Sequence, residues 1–141
     1  MLERSRTAAG RTELVAQNAL ASLLATISVG DVLQEASTEA LLLALRCVRN
    51  LCAADAAKEQ LLAAGGVQAL AHLLQAASDA EVPSRGTLLA TALQALGNAC
   101  VQCAACQAAV WCVLPALHTD APPESWPGGA ASRSSPLASP F

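Results

Sequence analysis

The chain has 141 residues and a formal charge of −3, and its 33 alanines and 23 leucines fill about 40 per cent of it. Valine and isoleucine together number 10 and tyrosine is absent, which excludes an all-β fold. A hydrophobic share of 54% against 13% charged excludes global disorder, and one lysine (Lys58) with seven scattered arginines excludes a phosphate-binding surface, so nucleic acid is not an expected partner.

Along the chain, residues 1–11 are polar and read as a flexible N-terminus. A helix is expected from Thr12 to about Ile27, with Leu14, Ala21 and Leu24 near helical spacing, ending around Gly30. Ser37 or Thr38 can cap the next helix, over 39–54. Asp55 to Ala64 reads as a short helix stopped by Gly65-Gly66, and Val67 to Ala77 as an amphipathic one with Leu70, Leu73 and Leu74 on one side. Residues 78–86, with Asp79, Pro83 and Gly86, form a loop; 87–102 and 106–113 are helical, the second meeting Pro115. Beyond His118 the composition shifts. Residues 119–141 hold five of the seven prolines and five serines, the pattern of a disordered tail.

From Arg85 to Asp120 no formal charge intervenes over 34 residues, long enough for a membrane span of about 20. Thr87, Thr91, Gln94, Asn98, Gln102 and Gln107 recur through it, however, and Gly97 and Pro115 interrupt it. Amides in lipid each need a partner, so a buried helix with one polar stripe fits better and no span is expected. Six cysteines stand at 47, 52, 100, 103, 106 and 112. Four lie in one helical stretch, where close neighbours rarely meet disulfide geometry, and no secretory signal precedes them. Reduced thiols and a cytoplasmic location follow.

An internal repeat is the most informative feature. At an offset of 48, Leu41/Leu89, Ala44/Ala92, Leu45/Leu93, Asn50/Asn98, Cys52/Cys100, Ala56/Ala104 and Ala57/Ala105 are identical. Helical units recurring at about 40–47 residues are the signature of armadillo and HEAT solenoids, in which each unit hides an apolar face against the next. The expected fold is all-α: a short right-handed armadillo/HEAT-like solenoid over 12–118. On helix 39–54, Leu41, Ala44, Leu45, Cys47, Val48, Leu51 and Cys52 share one arc, with Glu39, Arg46, Arg49 and Asn50 opposite. The matching positions on the later helix are Thr87, Gln94, Gly97 and Asn98, so two aligned helices present a polar ladder.

The ordered series Ala44-Leu45-Arg46-Cys47-Val48-Arg49-Asn50-Leu51-Cys52, Leu61 to Leu74, Leu93-Gln94-Ala95-Leu96-Gly97-Asn98 and Gln107-Ala108-Ala109-Val110-Trp111 resembles the N-terminal armadillo region of the ataxin-10 family over residues 40–118. The resemblance implies a cytoplasmic, non-enzymatic helical-repeat scaffold, in a family linked to neuronal survival, neurite growth and cell division. The family's later repeats and C-terminal domain have no counterpart here, and neither does the Pro/Ser tail, so a truncated fragment without independent function is one alternative. An uncapped repeat end near Trp111–Leu117 would then drive self-association.

Arg46, Arg49, Asn50, Gln94 and Asn98 form the candidate partner-binding face, where asparagines of an armadillo groove can hold an extended peptide by its main chain. The bland counterpart is that Asn50 and Asn98 tie neighbouring units together while the arginines are solvated. Arg46 and Gln94 stand where importin-like recognition of basic peptides needs tryptophan, which disfavours that activity. Trp111 reads as a core anchor. The run Cys100, Cys103, Cys106 invites a metal- or redox-active reading, the other alternative, but lacks the fourth Cys and Pro of the ferredoxin spacing; its thiols meet only if the chain turns near Ala104-Ala105, and buried small cysteines explain them equally. His72 and His118 have no nucleophile–carboxylate set nearby in sequence, and Gly65-Gly66 lacks the rest of a phosphate loop. No enzymatic activity, metal or cofactor is expected.

Overall fold

The computed structural model describes residues 1–28 and 35–113. The end of the repeats near residue 118 and the tail over 119–141 therefore lie outside the described residues, as do Gly30, Pro115 and His118. Among the described residues the protein is all-α, with eight helices and no strand. They are α1 (Leu2–Ser5), α2 (Ala8–Ala16), α3 (Ala19–Ser28), α4 (Glu35–Leu51), α5 (Asp55–Ala63), α6 (Gly66–Asp79), α7 (Arg85–Cys100) and α8 (Ala104–Val113).

The first eleven residues, expected to be loose, hold α1 and the start of α2. Local chemistry explains it. The Thr7 hydroxyl accepts the Gly10 N–H at 3.0 Å and caps α2, and Arg4 pairs with Glu13 across the α1–α2 corner. Gly10 permits the corner: a Cβ there would sit 1.9 Å from the Arg4 carbonyl oxygen. The single helix expected over 12–27 is broken in two at Asn18, whose φ is +52°; asparagine tolerates this left-handed backbone better than most residues. Gly65, at φ +68°, makes the corresponding break between α5 and α6, and those two helices meet at a 75° bend. Thr38 and Ser37, read as caps, lie inside α4, which begins at Glu35.

The packing order is regular. Each helix lies against the one three places further on: α1 on α4, α3 on α6, α4 on α7 and α5 on α8. The fifth such pair, α2 and α5, is joined by Gln60, whose Nε2 donates to the Val15 carbonyl at 2.9 Å. Leucines fill the space between, with Leu14, Leu20, Leu41, Leu45, Leu51, Leu61, Leu70 and Leu88 all essentially inaccessible. All seven residues assigned to the apolar arc of the α4 sequence are buried, and Glu39 opposite is exposed. Among the described residues no single helix is long and apolar enough to cross a membrane; α5 and α6 together have the length and composition only as a bent pair.

Candidate functional site

The polar ladder forms where α4 and α7 run side by side. Arg49 is its centre. Its Nη1 donates to Gln94 Oε1 at 3.0 Å, and its Nε and Nη2 both lie 3.4 Å from Asn50 Oδ1. From the other side, Asn98 Nδ2 donates to the Arg49 carbonyl oxygen at 2.9 Å. Asn50 Nδ2 donates backwards to the hydroxyl of Ser5 on α1, at 3.0 Å. That hydroxyl, fully buried, donates in turn to the Leu2 carbonyl at 2.6 Å. Four of the five residues singled out from sequence, Arg49, Asn50, Gln94 and Asn98, are thus in one hydrogen-bonded set. The side chain of Arg46, half-buried one turn earlier on α4, makes no hydrogen bond or ion pair among the described residues.

Both asparagines therefore spend a side-chain donor on the preceding layer, Asn50 on α1 and Asn98 on α4. What the ladder leaves open to solvent is the edge of Gln94 and Asn98, both exposed, while Arg46 and Arg49 on α4 are half-buried residues. Such a strip offers planar donors for carboxylates and main-chain carbonyls. A separate shallow cleft of about 290 Å³ lies between the start of α4 and the α6–α7 loop, lined by Thr38, Glu39, Leu42, Val82, Pro83 and Ser84. His72 is exposed on α6, away from that lining.

One polar centre escaped the sequence reading. Lys58, the chain's only lysine, is 4% exposed on α5. Its ammonium donates to Asp55 Oδ1 at 3.1 Å and to the Val101 carbonyl at 2.6 Å, which ties α5 to the turn between α7 and α8. No local pattern announces a carbonyl 43 residues away. Gln102, at φ +51°, makes that turn, so the chain reverses before Ala104-Ala105 and not at them.

The turn gathers four thiols around Lys58. Cys52 and Cys106 are fully buried, Cys100 and Cys103 half-buried. Burial above all pushes the Cys52 and Cys106 thiols up to about 12 and raises Cys100 as well. Cys103 runs the other way. The Cys106 backbone N–H and then the Cys106 side chain bond to its sulfur, and with help from the Lys58 charge they lower it below its ordinary value. Among the described residues no group of three or more His, Cys, Asp or Glu side chains is arranged to hold a metal ion.

Trp111, read as a core anchor, is 72% exposed on α8: the helix turns its Cys106 side inward and leaves the indole on the outer face. Comparison with family models, with curated proteins and with solved structures gave no match to this chain.

Proposed function

We propose that this chain is a short armadillo-like α-solenoid that acts as a non-enzymatic protein–protein interaction scaffold, in the manner the resemblance to the ataxin-10 family implies, with a cytoplasmic location. One observation carries the reading. Three apolar pairs equivalent at the 48-residue offset differ in exposure. Leu45 is 0% exposed on α4, whereas its counterpart Leu93 is 57% exposed on α7. Leu41 and Val48 are likewise sealed, whereas Leu89 and Leu96 are only partly covered. α4 is enclosed by α7 together with α1 and α3, whereas α7 leaves Leu93 and parts of Leu89 and Leu96 open to whatever helix would lie beside it. A surface that repeats its own binding partner is what a stacked array requires.

The partner-binding strip is Arg46, Arg49, Asn50, Gln94 and Asn98, and its ligand is an extended protein segment with acceptor groups facing the arginines. Arg46 is the freer of the two cations, because Arg49 also braces Gln94 and Asn50. The test is affinity capture by the full chain compared with the Arg46→Glu and the Arg46→Glu/Arg49→Glu variants, each checked for unchanged helical circular dichroism. Captured proteins are expected to fall away with Arg46→Glu alone and further with both. Equal capture by the double variant would show that the ladder is not the binding face.

A further inference from the structure

The cysteine turn carries an inference independent of the scaffold reading. Cys103 immediately precedes α8, in the position whose side chain caps a helix, and Cys106 sits three residues on in the first turn. The Cys106 N–H points at Cys103 Sγ, 3.4 Å away, while the Cys103 carbonyl accepts the Gln107 N–H at 3.0 Å. The objection that helical neighbours cannot reach disulfide geometry lapses for this pair, because the capping residue has left the helical backbone. The environment is also asymmetric. Cys103 is partly open to solvent and Cys106 is sealed beneath it, with the Lys58 ammonium held at the same turn by the Val101 carbonyl.

We propose that Cys103 and Cys106 form a thiol–disulfide exchange site for low-molecular-weight disulfides of the glutathione type, with Cys103 the attacking and Cys106 the resolving thiol. Helix N-terminal N–H groups and a neighbouring cation favour thiolate, the nucleophilic form, at the outer sulfur, and the lowered pKa of the Cys103 thiol agrees with this. In the first step the Cys103 thiolate attacks one sulfur of glutathione disulfide. The S–S bond of the disulfide breaks, and the departing glutathione thiolate takes up the proton that Cys103 released on ionising. In the second step Cys106 gives up its proton and attacks Cys103 Sγ, the mixed disulfide breaks, and the second glutathione thiolate leaves and takes up that proton. The protein loses two electrons and two protons, and one glutathione disulfide becomes two glutathiones.

The full chain carrying Cys112→Ser, which removes the exposed thiol, is reduced, exposed to glutathione disulfide, alkylated with iodoacetamide and mapped by fragment-ion mass spectrometry. A disulfide joining Cys103 to Cys106 is expected, with Cys47, Cys52 and Cys100 still reduced. Adding Cys106→Ser should halt the reaction with one glutathione on Cys103, and adding Cys103→Ser should abolish both products. A bridge to Cys52 or Cys100 would overturn the proposal, as would a folded Cys106→Ser variant that carries no glutathione on Cys103. Because a variant can fail to fold, the pH dependence of Cys103 alkylation is also measured in the otherwise natural chain. Half-maximal alkylation below the ordinary thiol value of 9.0 supports the site, and a midpoint at or above that value refutes it.

Discussion

The thiols packed around Lys58 make the protein's stability depend on alkaline pH. Cys52 and Cys106 have folded values near 12 against an ordinary 9.0, with burial the main cause, and Cys47 and Cys100 are raised for the same first reason. A group that stays neutral when folded but ionises when unfolded contributes stability that is whole below the unfolded value and drains away as pH climbs towards the folded one. Here that window runs from 9.0 to about 12. Cys103 works with the opposite sign: its contribution is present above 9.0 and is lost as pH falls through its lowered folded value. Four raised thiols against one lowered leave a net alkaline loss. With no tyrosine in the chain, no phenol titrates in that window. Thermal unfolding under reducing conditions should therefore give a lower melting temperature at about pH 10.5 than at about pH 8, and Cys52→Ala should narrow the gap. An unchanged melting temperature would mean that the buried thiols ionise freely in the native state.

At the scale of helices, two glycines with opposite surroundings test the packing. Gly97 lies inside α7 with nothing within 4 Å of where a Cβ would be, so Gly97→Ala should stabilise by the intrinsic helix preference, about 0.5–1 kcal/mol. Gly10→Ala would drive a methyl into the Arg4 carbonyl, and should cost about 1–3 kcal/mol as α1 is levered off α2. Chemical denaturation of both variants checks the pair, and a destabilising Gly97→Ala would show that another helix already covers that face. The ladder was legible in sequence because matching Asn50 with Asn98 puts the polar faces of α4 and α7 at one phase; the contact itself is staggered, Arg49 bonding Gln94, which is the counterpart of Arg46. The helix ends were less legible. Gly65-Gly66 advertises its break, whereas Asn18 and Gln102 adopt positive φ without a glycine or proline to mark them, so periodicity reads straight through both. Gln102 turns the chain ahead of Cys103, which therefore stands just before α8 as its capping residue. The burial of Ser5 and Lys58 is fixed by partners 45 and 43 residues distant, and such contacts leave no trace in a local window.

For the molecule as a whole, the outer face of α7 exposes an apolar leucine, Leu93, whose counterpart on α4, Leu45, is covered. On α7 the exposed positions Ala90, Leu93 and Gly97 follow one another at helical spacing, and Val101 continues them into the turn. Trp111 adds a large exposed indole on α8. The polar strip of Gln94 and Asn98 borders this surface on α7 but does not cover it. Apolar positions in such a row mark contact surfaces that a further helix laid alongside would cover; Leu45, the α4 counterpart of Leu93, is fully covered within the chain. A second copy of the chain can supply that helix, each α7 covering the other about a two-fold axis, since one patch then serves both partners. Light scattering of the full chain under reducing conditions should give a mass that rises with concentration towards the dimer, and Leu93→Glu should return it to the monomer while the helical spectrum is kept. Trp111→Ser should weaken the association if the indole lies inside the contact and leave it unchanged if the two copies meet on α7 alone. A mass that stays monomeric across the whole concentration range would sink self-association, and would place the cover for Leu93 on some other helix.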